Sequence, residues 1–128
     1  MTKPLRIQFI IADGSHARWV RRSETGDTFV TERDIKAHVH AGAHGRAHGS
    51  DDHDLAAFAR TVADAINAEV QSGHDDRLAL IAPAHTLAAI QGHLSKVAEA
   101  KVFRTLAKDL VKTPDHALGE WLRPLELG

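Results

Sequence analysis

Apolar residues recur along this chain in distinct rhythms, and each change of rhythm marks an element. From Arg6 to Ala12 the run RIQFIIA is almost uninterrupted, which suits a strand buried on both faces. Asp13-Gly14 is a tight-turn dipeptide, and His16 to Arg21 is a second short run around Trp19, so the two runs are expected to pair as a hairpin. Thr28 to Lys36 follows the Thr25-Gly26-Asp27 turn with Phe29, Val30 and Ile35 among charged residues. It reads as a third antiparallel strand, more polar and nearer an edge.

The rhythm then becomes helical. Leu55, Phe58, Ala59, Val62, Ile66 and Val70 share one helix face, Ser50 suits the N-cap, Asp51, Asp52 and Asp54 suit the first turn, and Gly73 ends the run. Arg77 to Ala82 is a buried strand stopped by Pro83. Leu87, Ile90 and Leu94 mark a second helix from about Ala84, and Lys101 to Ala107 is a last strand. Thr113-Pro114 opens a C-terminal helix burying Leu118, Trp121 and Leu122. The order βββαβαβα implies one α/β domain over residues 1–128, with a mixed sheet of about five strands flanked by about three helices.

Composition narrows the chemistry. The chain has 128 residues and no cysteine, which removes disulfides, thiolate metal sites and cysteine nucleophiles. The apolar run near the N-terminus is too short for a signal h-region or a membrane span, so a cytoplasmic protein is expected. Net charge is −1, yet residues 1–46 hold eight basic residues against five acidic ones, and the remainder eight against twelve. Any anion binding is therefore expected at the basic front third.

Residues 38–53 read HVHAGAHGRAHGSDDH and carry five of the ten histidines with three glycines. A segment so composed cannot bury itself, and residues 37–51 are expected to form a flexible loop. Two chemistries compete there. Zinc would use His38, His40, His44, His48 and His53, completed by a neighbouring aspartate. A phosphate-bearing partner would use His44, Gly45, Arg46, His48 and Gly49, with Gly45 letting the backbone approach and Arg46 donating in bidentate fashion. Arg18, Arg21 and Arg22 would form a basic face on the neighbouring hairpin, although a solvated strand face is their plainer role.

Three ordered stretches, IIADGSHARWV, RLALIAPAHTLAAIQGHL and KDLVKTP, resemble the bacterial host attachment protein family, in which V-A-D-G-x-x-A-R, V-A-P-x-x-x-L and K-D-L-T are typical. The resemblance runs over roughly residues 7–122, with Asp13, Gly14, Lys108 and Asp109 on its signature positions. That family is similar to the middle domain of archaeal and eukaryotic peptide-chain release factors, which implies a ribonuclease-H-like arrangement. Release factors place a Gly-Gly-Gln tip before the first long helix. Here that place holds His44-Gly45-Arg46-Ala47-His48-Gly49-Ser50, while Gln8, Gln71 and Gln91 lie elsewhere, so the catalytic glutamine has no counterpart.

Other catalytic arrangements are weaker. No G-x-S-x-G elbow is present, Asp13 reads as a turn residue rather than a metal-binding one, and His85 reads as a surface residue at a helix start. Lys108-Asp109 reads as a structural pair that pins the last strand to the C-terminal helix. The expectation is a non-enzymatic binding module whose loop meets a macromolecule. A ribosome- or RNA-associated hydrolase and a zinc protein are the alternatives, and an edge strand offers a route to a symmetric dimer.

Overall fold

Among the described residues five strands form one mixed sheet in the order β3-β2-β1-β4-β5. The computed structural model describes residues 6–26, 28–37, 51–73 and 75–126, with the side chains of 51–54 outside that description. β1 (Ile7–Ala12) pairs antiparallel with β2 (His16–Arg22), and β2 pairs antiparallel with β3 (Phe29–Lys36) across a register shift between Trp19 and Val20. β1 also pairs parallel with β4 (Arg77–Ala82), and β4 pairs parallel with β5 (Val102–Ala107). β1 and β4 are thus central and β3 lies at an edge, in line with their apolar and polar compositions.

Period-two alternation sends each strand's side chains to two different cores. On one face Ile10, Trp19, Leu78 and Leu80 meet α1 (Asp51–Val70), α2 (Ala84–Gln91) and α3 (Lys96–Lys101) through Phe58, Val62, Ile66, Ile90 and Ala98. On the other face Phe9, Ile11, Val20, Phe29 and Ile81 meet Leu110, Val111, Leu118 and Leu122. The second core is closed by a short C-terminal stretch, a 3₁₀ turn (Asp115–Ala117) followed by α4 (Gly119–Glu126). Both faces need covering because β1 is apolar at almost every position.

Among the described residues four helices are present where about three are expected. α3 is separate because Ser95 caps it, accepting from the Ala98 amide at 3.1 Å, while its own amide donates to Asn67 Oδ1 at 2.8 Å. The last strand accordingly starts at Val102 rather than Lys101. Trp121 is half-buried rather than fully buried, unlike Leu118 and Leu122. Gly73 ends α1 with φ +75°, the left-handed conformation expected at that position. Gly14 does not have a positive φ, so the hairpin turn depends on Asp13 instead. Asp13 Oδ1 accepts from the amides of Ser15 and His16, each at 2.8 Å. Among the described residues no helix is long and apolar enough to cross a membrane.

Candidate functional site at the carboxyl edge of the sheet

β1, β3, β4 and β5 run in one direction, so their carboxyl ends share one edge. Asp13-Gly14, Ala37, Pro83 and Lys108-Asp109 follow these ends directly. In open α/β sheets this is the edge where connecting loops gather into sites. The described residues on either side of the segment 38–50 both lie at this edge. At its start the Ala37 amide donates to the Ser15 carbonyl at 2.8 Å, and after its end the first turns of α1 approach the hairpin, where Leu55 lies 3.4 Å from the position a Gly14 Cβ would take.

His38, His40, His44, Gly45, Arg46, His48 and Gly49 all lie outside the described residues, as does the side chain of His53 on the first turn of α1. Among the described residues no three histidine, aspartate or glutamate side chains converge to hold a metal. His16 and Asp34 pair across β2 and β3 at this edge, half-exposed and exposed respectively. The sequence reading missed this pair, although the two-residue alternation of Glu32, Asp34 and Lys36 along β3 was visible and puts Asp34 on one face.

The three hairpin arginines do not form a common basic face. Alternation places Arg18 and Arg22 on the face of the second core and Arg21 on the other. Arg18 is not solvated; it is 6% exposed. Its guanidinium donates to the carbonyls of Val111 (2.9 Å) and Thr113 (2.6 Å), to Thr31 Oγ1 (3.0 Å) and to Asp115 Oδ1 (2.6 Å). Asp115 also accepts from the Thr31 amide at 3.1 Å and hydroxyl at 2.6 Å. Burial would raise the Asp115 carboxyl, but the hydrogen bonds from Thr31 and Arg18 outweigh it and hold the group below the usual carboxylate range.

Arg21 pairs with Asp75 at 2.6 Å, with Glu32 at 3.0 Å and with Gln8 Oε1 at 2.7 Å, toward the opposite end of the sheet. Burial disfavours its charge, yet the hydrogen bonds it donates to Asp75 and Glu32 outweigh that and raise its pKa further. Arg22 pairs with Glu126 of α4 and lies 5.1 Å from the Phe29 ring centroid. Each guanidinium already has a carboxylate partner, because a charge this close to a core must be neutralised locally. The basic hairpin is therefore a set of tertiary clamps.

Residues 30–122 match the family described as "Protein required for attachment to host cells". The chain belongs to that family. The match begins inside β3, so the Asp13-Gly14 opening lies before it, while the segment 38–50 and Lys108-Asp109 lie within it. No curated protein matches the chain. A solved structure described as an archaeal protein is similar in fold, with a TM-score of 0.58 and 12% identity over 94% of this chain and 35% of that one. The chain thus spans about a third of that protein's length, and the likeness concerns the fold alone.

The first and second family-like stretches pair as β1 and β4, the third reaches the second through Lys108, and the first reaches the third through a side chain. Arg18, the arginine of DGSHAR, holds the carbonyls of Val111 and Thr113 in KDLVKTP. Val111, where the family pattern has threonine, is buried, and it contributes its carbonyl to the clamp and its side chain to the second core. Lys108 and Asp109 do not pair with each other. The Lys108 amide donates to the Ala82 carbonyl at 3.0 Å and its ammonium lies 4.5 Å from the Trp121 ring centroid, so the pinning of strand to helix is done by lysine alone. Asp109 is exposed, with no ion pair among the described residues.

Proposed function

We propose that this member of the host attachment family is a non-enzymatic binding module that meets a macromolecular partner at the carboxyl edge of its sheet. His44, Gly45, Arg46, His48 and Gly49 make the contact, and Asp109 adds a neighbouring charge. The observation that supports this most is the tethering at Ala37 and Leu55, which keeps both flanks of the histidine- and glycine-rich segment at one edge of a scaffold packed on both faces. Rigid flanks lower the ordering cost of a contact made by the segment between them. Imidazoles and a guanidinium are hydrogen-bond donors suited to carboxylates or phosphates, and mild acid would strengthen them.

A photo-reactive residue placed at position 44 is expected to cross-link a partner that the same residue at position 24, near the opposite edge, does not. The triple substitution of His44, Arg46 and His48 by alanine should abolish the complex while leaving thermal unfolding unchanged. Equal cross-linking from both positions would remove the reading. Hydrolysis of peptidyl-tRNA lost in His48→Ala would replace it with the enzymatic alternative, and stoichiometric zinc uptake lost in the same triple variant would replace it with metal binding.

A further inference from the structure

The two edges of the sheet are finished differently. β3 carries Glu32, Arg33, Asp34 and Lys36 within eight residues, lies beside a register shift, and has the Thr31 amide occupied by Asp115. These are devices that prevent pairing with another strand. β5, VFRTLA, carries one charge and is half-buried along most of its length. Among the described residues it pairs with β4 alone. Because the Lys108 amide reaches Ala82, alternation directs the amides of Arg104 and Leu106 toward β4 and turns those of Thr105 and Ala107 outward.

Side chains beside this edge are sorted by face. A groove of about 320 Å³ at this edge is lined on the helical side by Leu94, Val102 and Thr105, with Glu99 on its wall, and it reaches across the strand to Phe103 and Arg104. On the other side Arg77 and Arg104 both approach the half-buried Phe103 ring, each 5.5 Å from its centroid. Among the described residues neither guanidinium has a carboxylate partner, whereas Arg6, Arg18, Arg21 and Arg22 all do. An added strand would send alternate side chains to these two sides.

From this sorting we infer that β5 is a docking edge for an extended peptide of a partner protein, with acidic residues facing Arg77 and Arg104 and apolar residues facing the Leu94–Val102 groove. A second copy of the chain fits less well. Antiparallel pairing of two β5 strands would bring two Arg77–Arg104 pairs to one seam, and like charges across a strand pair repel. The inference is independent of the contact proposed for residues 44–49.

Fluorescence anisotropy with two capped heptapeptides tests it, one alternating valine with glutamate and the other valine with lysine. The glutamate peptide is expected to bind about tenfold or more tightly than its counterpart, and Arg104→Glu should reverse the preference. Thr105→Pro removes an outward amide, a place where edge strands tolerate proline, and should abolish binding. Should that variant fail to fold by circular dichroism, the charge reversal decides alone. The triple alanine variant at 44, 46 and 48 should bind the glutamate peptide as the parent does.

Equal affinity for both peptides would overturn the inference, as would binding of neither below millimolar concentration. Tighter binding of a short single-stranded RNA that Arg104→Glu abolishes would assign the edge to nucleic acid instead. A sedimenting dimer lost in Thr105→Pro would assign it to a second copy.

Discussion

Arg18, Arg21 and Arg22 lie within five positions on one strand, and each guanidinium has a different task. Arg18 ties the stretch after β5 to the sheet and is the most consequential, since five acceptors on three segments converge on it. Arg18→Ala is expected to cost about 3 kcal/mol in urea unfolding, because it strands buried carbonyls and the Asp115 carboxylate. Arg18→Lys should recover less than half of that, since one ammonium cannot span acceptors arranged for a planar fork.

Two carboxyls should shape the pH dependence with opposite signs. Asp115 has a depressed pKa in the folded state, so its contribution is complete above the unfolded value of about 3.9 and is lost as pH falls through the folded one. Burial, followed by the negative charge of Asp75, raises Glu69, against the opposing effects of Arg33, Arg21 and the Trp19 indole N–H. Its contribution is complete below the unfolded value of about 4.3 and is lost as pH rises through the folded one. Glu69→Gln should therefore stabilise the protein at neutral pH, with the gain shrinking as pH drops below about 4. Urea midpoints of the variant and parent at both pH values check this.

At the scale of elements, apolar rhythm predicts strands and long helices well and short caps poorly. β1, β2, β3, β4 and α1 appear near their expected positions because their patterns span several residues of one period. α3 escaped because six residues make fewer than two turns, and its start depends on a hydrogen bond accepted by the Ser95 hydroxyl. The C-terminal helix begins later than Thr113-Pro114 suggests, since a single 3₁₀ turn comes first. Gly73 is where local backbone matters most. With φ +75°, Gly73→Ala should cost about 1 kcal/mol in thermal or urea unfolding. Alanine at Gly92, at the ordinary helical φ of −66°, is expected to be tolerated.

At the scale of the molecule, stability depends on two cores that share one sheet. The helical core is supplied by α1, α2 and α3, whereas the other rests on the residues after β5. Leu122→Ala, which removes a fully buried side chain from the smaller cover, should cost about 2–5 kcal/mol. Its effect should combine non-additively with Arg18→Ala, because both loosen the same C-terminal cover, and a double-mutant cycle in urea measures this coupling.

Sequence alone determined the α/β class, the single domain, the hairpin, the edge character of β3 and the family, because each follows from local period or from stretches of ordered motifs. It also displayed the histidine-rich segment, whose composition is plain without coordinates. It could not tell that three arginines within five positions would be divided between two faces and matched to carboxylates as far as 104 positions away. Nor could it tell that the family-like stretches at the two ends would meet through Arg18. Only tertiary structure decided these matters, and the physical reason is desolvation: a charge seeks whatever partner the fold brings beside it, and that proximity is a property of topology rather than of neighbouring residues.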